Sequence, residues 1–231
     1  MLTLLQAQVT PLEEIIVIDT SPTKTGLEIA QRFTTHIVPV KVECARVGIY
    51  EAWNRGIDLA GESDVLIMND DLIVPINLTD IIQLVEDATL AYCIVPATPD
   101  KDHYKPYVDM TLGFYATVPE VAGDVVRVKW MPGFCFYLSK QCVKDVGTFD
   151  TKFQVWYGDD DYQARIHKKA EETGNIAIVG VPSTFVYHFG GKSYKYQSKE
   201  VQKKINKDRK LFLKKYPNVQ ATQKTEKPIQ Q

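Results

Sequence analysis

The sequence predicts an α/β protein in which helices flank a mostly parallel sheet. Two observations predict this class. Short apolar runs rich in β-branched residues are bounded by turn formers, which is typical of buried strands. Segments with helical periodicity lie between these runs, and strands that alternate with helices usually pair in parallel. The predicted strands of the first half are Ile15–Ile18, His36–Val40, Val65–Met68 and Tyr92–Val95.

The helices follow from apolar residues that recur every three or four positions. Leu78–Ala88 has the clearest start, because Pro75 and the polar Asn77 precede it. Residues 98–128 combine prolines, glycines and mixed polarity, and we interpret them as a long surface excursion. The other predicted helices are Leu27–Phe33, Ile49–Ala60, Lys140–Val146 and Tyr162–Thr173, and one further strand is predicted at Trp130–Leu138.

Length and composition describe one ordinary globular core followed by a basic tail. The 231 residues are 45% hydrophobic and 24% charged, with a net charge of −2. A chain of this length buries about 70–75% of its unfolded surface, which is enough for one core. We therefore predict one domain over residues 1–196 and a basic helical tail over residues 197–231, with disorder after Pro217.

The cysteines and the hydropathy indicate a cytoplasmic protein. Cys44, Cys93, Cys135 and Cys142 show no C-x-x-C spacing, and we interpret them as reduced core residues. No apolar run approaches the ~20 residues that a membrane helix requires, and no signal peptide opens the chain. Any membrane contact is therefore expected to be peripheral.

Acidic side chains stand at the ends of predicted elements. Asp159, Asp160 and Asp161 open a helix, and the segment Asn69–Asp71 follows the strand Val65–Met68. One carboxylate is enough to cap a helix and to favour its dipole, so three like charges in a row suggest chemistry. The acidic segment after the strand has an alternative interpretation as a polar turn.

One histidine stands in a similar position. His188 ends a short apolar strand just before Gly190 and Gly191, where the backbone can approach a phosphate closely. A metal ligand and an ordinary strand-end histidine are both compatible with this position.

Several segments, in this order and spacing, resemble the family 2 glycosyltransferases, which are nucleotide-sugar-dependent enzymes of the GT-A fold. The resemblance covers roughly residues 2–217 and implies a Rossmann-like sheet. The matching segments are the strand 15–21 that ends in an aspartate, the G-x-x-x-A-x-N-x-G helix at Gly48, Ala52, Asn54 and Gly56, the D-x-D-type strand end at 64–71, the glycine-containing strand at 131–136, and the segments 147–150, 158–165 and 188–193.

The resemblance implies a donor pocket and a metal site. Asp71 matches the metal-binding carboxylate of the family, and His188 matches a metal or phosphate contact. Such a cation, Mn²⁺ or Mg²⁺, would neutralise the nucleoside diphosphate as it leaves. The implied donor-binding residues are Asp19, Arg46, Asn69, Asp70 and Lys192.

The resemblance also implies a general base and an acceptor side. Asp159 matches the base that takes the proton of the acceptor hydroxyl, and Asp160 is the alternative. Asp161 has Arg165 four residues later, so a structural ion pair is the simpler interpretation of that residue. The acceptor-side candidates are Gly133 and the aromatic residues Trp130, Trp156 and Tyr157. The aromatic rings suit either stacking on a sugar or packing against other side chains.

Two departures from the family pattern are visible. Residues 1–5 already resemble the first helix of the family, so the strand that precedes it is expected to be missing. Its absence would weaken the nucleotide pocket and favour a non-catalytic nucleotide-sugar or glycan binder. Gly158 stands where the family usually has a glutamate before the catalytic aspartate.

We therefore expect an inverting, metal-dependent glycosyltransferase that uses a UDP- or dTDP-sugar. A surface glycan or a lipid-linked sugar is the favoured acceptor, and a hydroxymethylated DNA base is an alternative. The basic tail, which runs from Lys203 to Lys215, is interpreted as a solvated helix face, with an anionic membrane surface or a polyanionic acceptor as alternatives.

Overall fold

Strands and helices alternate through the first hundred residues, as the periodicity predicts. The computed structural model describes residues 1–21, 23, 25–32, 38–97, 125–128, 131–189 and 199–217. The strands are β1 (Ile15–Asp19), β2 (Val40–Cys44), β3 (Val65–Met68), β4 (Leu72–Ile73), β5 (Cys93–Ala97), β6 (Val126–Arg127), β7 (Cys135–Leu138), β8 (Ile178–Phe185) and β9 (Tyr187–His188). The helices are α1 (Leu2–Gln6), α2 (Thr25–Gln31), α3 (Ile49–Ala60), α4 (Leu78–Thr89), α5 (Lys140–Val146), α6 (Gly158–Thr173) and α7 (Lys199–Lys215).

The helix-flanked α/β sheet is confirmed, but its strand directions are mixed rather than mostly parallel. The central sheet has the order β3-β7-β5-β8-β6, and only β5 and β8 are parallel in it. β7 is antiparallel to both of its neighbours, and β6 is antiparallel to β8. β1 and β2 form a separate parallel pair, and β4 and β9 an antiparallel one. In the sequence, a helix between two predicted strands indicates that the strands pair in parallel. The antiparallel partners are distant in the chain, so no local pattern indicates their pairing.

Two predicted strands differ from the structure by four or more residues at one end or both. Residues 36 and 37 of the predicted strand His36–Val40 lie outside the described residues, and the observed strand is β2, Val40–Cys44. Its residues alternate between apolar and polar, which suits the half-buried partner of β1. The strand predicted at Trp130–Leu138 begins only at Cys135, because a turn with Pro132 and Gly133 comes first.

Two apolar clusters lie on the two faces of the central sheet. Every residue of β5 and β7 is buried, as expected for strands that are covered on both sides. Phe136 and Leu138 belong to the cluster under α3, α5 and α6, whereas Cys135 and Tyr137 belong to the cluster under α4. Successive residues of β7 therefore pack against helices on opposite faces of the sheet.

The first described helix is α1, as the sequence predicts. Among the described residues, the β1–β2 pair makes no ladder with the central sheet. Side chains connect the two sheets instead. Helix α3 packs against both β1 and β3. Ile15 of β1 and Leu66 of β3 belong to the same apolar cluster.

The cysteine prediction is confirmed in part. Cys93, Cys135 and Cys142 are buried and free, and burial raises the pKa of Cys135 and of Cys142 to about 12. Cys44 is exposed, so its interpretation as a core residue is wrong. Cys44 ends β2, the half-buried strand at the edge of the smaller sheet. In the described part of the chain no helix is long and apolar enough to span a membrane.

The basic helix α7 packs against the main body of the protein through one face. Its Ile205 and Phe212 are buried, and Phe212 belongs to the same apolar cluster as Tyr50 of α3. Its lysines at 203, 204, 207, 210, 214 and 215 are exposed, as predicted for a solvated face. The boundary at residue 196 and the disorder after Pro217 stay predictions of the sequence, and residues 218–231 lie outside the described ones.

Asp208 is the only charged residue of α7 that is buried, and its side chain is fully so. Its carboxylate accepts hydrogen bonds from the backbone N–H groups of Gln154, Val155 and Trp156, at 2.8–3.1 Å. The helix therefore holds the loop that leads into α6.

Replacing Asp208 with alanine should destabilise the protein by about 1–3 kcal/mol, because three part-buried backbone N–H groups would lose their charged acceptor. Urea denaturation measures the free energy of unfolding. Asn206→Ala, an exposed site on the same helix, is the matched control and should change stability by less than about 0.5 kcal/mol. Equal stability of the two variants would contradict this role of Asp208.

Candidate active site

The start of α6 is the most constrained part of the site. Tyr157, the residue before the helix, has a left-handed backbone with φ 68°. Non-glycine residues rarely adopt this conformation, and where they do the surrounding structure usually imposes it. Here Asp208 binds the preceding backbone, and the Tyr157 ring stacks on Phe212 with centroids 5.3 Å apart. Helix α7 therefore fixes the direction in which the acidic first turn points.

Asp161 is the structural member of the acidic cluster. Its side chain is fully buried and 3.1 Å from Arg165 Nε, which confirms the predicted ion pair. Lys215 Nζ and the Tyr216 hydroxyl, 2.9 Å away, bind its other oxygen. Three partners therefore compensate this charge, and two of them come from the end of the basic helix or directly after it.

Asp159 and Asp160 are half-buried in the same first turn. Asp159 Oδ1 accepts a hydrogen bond from the Tyr50 hydroxyl at 3.0 Å. Its Oδ2 lies so close to Gly133 that a methyl group at residue 133 would clash with it. Asp159 is thus held between α3 and the residues that precede β7.

The two predicted metal ligands are neighbours. β4 pairs with β9 so that Leu72 faces His188, and the Phe189 N–H donates to the Asp71 carbonyl at 3.0 Å. His188 Nε2 lies 3.2 Å from Asp71 Oδ1. Adjacent ligands of one octahedral ion, each about 2.1 Å from it, lie about 3 Å apart. The spacing therefore fits two ligands of one divalent cation.

The donor set also fits Mn²⁺ or Mg²⁺. Asp71 Oδ1 is buried, yet it accepts no well-aligned hydrogen bond from the described residues although His188 is adjacent. No group of three or more His, Cys, Asp or Glu side chains within the described ranges could hold a metal. Hard cations in such sites take their remaining ligands from phosphates and water.

Gly133 and Phe134 connect the two halves of the site. The Phe134 ring stacks on the His188 ring, with centroids 4.4 Å apart and an interplanar angle of 17°. Its carbonyl accepts a hydrogen bond from the Asn69 N–H at 2.8 Å, which extends the β3–β7 pairing to the start of the acidic segment. Gly133 contacts Asp159 from the other side. One dipeptide therefore lies between the Asp71–His188 pair and the carboxylate of α6.

Asp19 and Arg46 stand at the same end of the β1–β2 pair. Asp19 is the last residue of β1, Arg46 comes two residues after β2, and the Ala45 N–H donates to the Asp19 carbonyl at 3.0 Å. Asp19 is buried, and its carboxylate accepts the N–H groups of Ser21 and Leu27, each at 2.9 Å. Burial by itself raises the pKa of Asp19, but the hydrogen bonds from Ser21, Leu27 and Gly26 outweigh it, so that pKa lies below its usual value.

The other predicted residues are only partly placed. Directly after β3, Asn69 is half-buried and Asp70 is exposed, and Trp156 is half-buried beside the acidic turn. Trp130 and Lys192 lie outside the described residues, as do Gly190 and Gly191.

Sequence reasoning missed Tyr50 and Asp208. Asp208 had a signal, because it is the only acidic residue between Lys203 and Lys215. Tyr50 had none, since an aromatic residue in the first turn of an amphipathic helix is an ordinary core residue. Gly158, noted only as a departure, has a structural reason: a methyl group there would lie 2.5 Å from atoms of the Tyr50 ring.

Gly158→Ala should destabilise the protein by about 1–3 kcal/mol, because the added methyl group overpacks the Tyr50 ring. Gly56→Ala is the matched control, since a methyl group at this helical site would meet only Ile18 at 3.9 Å. This control should stabilise the protein by up to about 1 kcal/mol through helix propensity. Thermal and urea denaturation of both variants measure the difference. A Gly158→Ala protein as stable as the Gly56→Ala one would contradict the predicted clash.

Comparison with known proteins finds a family model that matches more than half of the chain. The model of the family described as glycosyl transferase family 2 matches residues 1–147. No curated protein sequence is significantly similar to the chain.

Solved structures with the same fold include three larger proteins. A mannosyltransferase from Pyrobaculum calidifontis in complex with GDP-Man and Mn²⁺ superposes with a TM-score of 0.60 at 16% identity, over 83% of this chain and 52% of that one. S. aureus TarS 1–349 in complex with UDP gives 0.59 at 14% identity, over 96% and 68%. GalNAc-T7 with UDP, GalNAc and Mn²⁺ gives 0.53 at 17% identity, over 76% and 37%. The chain thus spans between about a third and two thirds of the length of these proteins, and the likeness concerns the fold.

Proposed function

Because the chain belongs to glycosyl transferase family 2, we propose that it transfers a sugar, with inversion, from a UDP- or dTDP-sugar to an acceptor hydroxyl with the help of a divalent cation. The observation that carries this proposal is the position of Gly133 and Phe134. Asp159 contacts the first, and His188, next to Asp71, stacks on the second. A base and a diphosphate site on two sides of one dipeptide suit a sugar bound between them.

The donor diphosphate binds at Asp71 and His188 in this proposal. Bound there, Mn²⁺ or Mg²⁺ supplies the positive charge that stabilises the departing nucleoside diphosphate. Asp71 provides a hard oxygen ligand and His188 a nitrogen, and the phosphate oxygens complete the coordination. Asn69 and Asp70 face the ribose, Asp19 and Arg46 contact the nucleoside end, and Lys192 contacts phosphate.

Asp159 acts as the general base, with Asp160 as the alternative. It takes the proton of the acceptor hydroxyl, whose oxygen forms the new bond to the anomeric carbon while the bond from that carbon to the phosphate oxygen breaks. A single displacement from the face opposite the leaving group inverts the anomeric centre. The burial of Asp161 between Arg165 and Lys215 supports this assignment, because it leaves the two preceding carboxylates for chemistry.

The acceptor binds on the side of Gly133, Trp156 and Tyr157, with Trp130. A surface glycan or a lipid-linked sugar is the favoured class, and a hydroxymethylated DNA base is the alternative, for which the exposed lysines of α7 supply a polyanion-binding face. The buried free cysteines support a reducing, cytoplasmic environment.

Asp159→Asn should reduce transfer by about 10²–10⁴-fold, because the amide cannot accept the proton. Donor affinity should stay unchanged, since the substitution keeps the shape of the side chain. Initial rates of nucleoside diphosphate release, with UDP-, dTDP- and GDP-sugars and panels of glycan and DNA acceptors, measure the effect.

Glu171→Gln, an exposed site on the same helix, is the control for Asp159→Asn and should keep the wild-type rate. A wild-type protein that binds donor but releases no product with any acceptor would instead support the non-catalytic binder. That alternative is favoured by the separation of the β1–β2 pair, which carries Asp19, from the central sheet.

Asp71→Ala should abolish the Mn²⁺-dependent part of donor binding. Ligand binding to the native state raises the melting temperature, so wild-type protein with UDP-sugar and Mn²⁺ should melt higher than with either one alone or with EDTA. The variant should melt at the same temperature with and without Mn²⁺. A Mn²⁺-dependent shift that survives in the variant would exclude Asp71 as a ligand.

A further inference from the structure

Tyr50 is a buried phenol that binds the proposed base. It lies in the first turn of α3 and is 2% exposed. Its hydroxyl oxygen is 3.0 Å from Asp159 Oδ1 and 3.5 Å from the Val155 carbonyl oxygen. A hydroxyl has a single proton, and O–H···O bonds extend to about 3.0 Å. The phenol therefore donates to the carboxylate.

The phenol is a donor at every pH at which Asp159 is ionised. Burial, followed by the negative charge of Asp159, raises the pKa of Tyr50 well above its usual value. A hydrogen bond to an ionised acceptor is stronger than one between neutral groups. The contact therefore restrains the carboxylate in its reactive, charged form.

Packing leaves the Tyr50 ring one position. The ring stacks on Phe149 with an interplanar angle of 19° and meets the edge of Trp53 with centroids 5.3 Å apart. Gly158, the residue before Asp159, has no side chain, and the ring fills that space. The hydroxyl is consequently aimed at Asp159 by groups that are themselves packed in the core.

We infer that Tyr50 is a positioning residue, which holds Asp159 Oδ1 and thereby directs Oδ2 towards the acceptor hydroxyl. Oδ2 is the oxygen on the side of Gly133, where Phe134 continues towards His188. The proton of the acceptor moves to Oδ2 while the acceptor oxygen bonds to the anomeric carbon and the nucleoside diphosphate leaves. The inference rests on the proposed function, because it assigns a role in that reaction.

Tyr50→Phe removes the donor and keeps the ring. We expect kcat to fall about 10-fold or more, the loss that corresponds to one hydrogen bond to a charged group, with the KM for donor unchanged. In an Asp159→Asn background the substitution should have no further effect on the residual rate.

Tyr92→Phe is the matched control. Tyr92 is 1% exposed, and its hydroxyl donates to Asp145 Oδ2 at 2.6 Å, a part-buried tyrosine–aspartate bond with a carboxylate outside the site. Both variants should lower the melting temperature by a similar amount, about 2–4 °C. Only Tyr50→Phe should change kcat.

The outcomes separate the two proposals. Suppose that Asp159→Asn abolishes the wild-type turnover, whereas Tyr50→Phe reduces it no more than Tyr92→Phe does. This result would overturn the role of Tyr50 alone. A wild-type protein without turnover for any donor would overturn the proposed function and, with it, the positioning role.

Discussion

The antiparallel pairing of β3 with β7 determines where the chemistry of this protein can occur. Met68 pairs with Cys135, and the hydrogen bond from the Asn69 N–H to the Phe134 carbonyl continues the ladder by one more step. The acidic segment that follows β3 and the glycine turn that precedes β7 are therefore neighbours. Every residue of β7 is buried and alternate residues pack on opposite faces of the sheet, so a slip by one residue would exchange two different sets of packing contacts. The register of one short strand thus positions both sides of the site.

The second constraint is electrostatic. Three consecutive aspartates at a helix start repel one another, although the helix dipole favours each of them. The fold resolves the conflict by burying Asp161 with Arg165, Lys215 and Tyr216, so that its charge is compensated inside the protein. Asp208 is buried too, but backbone N–H groups satisfy it. Both carboxylates connect the basic C-terminal helix to the acidic turn, which gives that helix a structural role beyond its solvated face.

These constraints act on one loop from two directions. Helix α7 holds the backbone of residues 154–156 and stacks on Tyr157, whose left-handed conformation turns the chain into α6. Helix α3 meets the same turn through Tyr50, which fills the space beside Gly158. The proposed base is thereby held on elements that are packed in the core, whereas the Asp71–His188 pair lies on the two-stranded β4–β9 ladder. A rigid proposed base and a proposed diphosphate site beside short strands suit the proposed reaction, whose leaving group must bind and depart.

Much of this protein follows from its sequence. Strand and helix identities follow from periodicity, and α3 and α5 have the predicted bounds because their apolar faces and flanking glycines leave little choice. The pairing of Asp161 with Arg165 was predictable as well, since residues four apart share a helix face. The acidic segments and His188 were recognisable as candidates from their places at the ends of elements.

The tertiary structure alone decided which of these residues meet. Strand direction in the central sheet, the shift of β2 to Val40–Cys44 and the neighbourhood of Gly133, Asp159 and Tyr50 join parts of the chain that are far apart in sequence. Local propensity carries no information about such contacts, because they depend on how whole layers pack. For the same reason Tyr50 and Asp208 resembled ordinary core and surface residues, and only the packed chain shows the buried carboxylate and the hydrogen-bonded base that give them their roles.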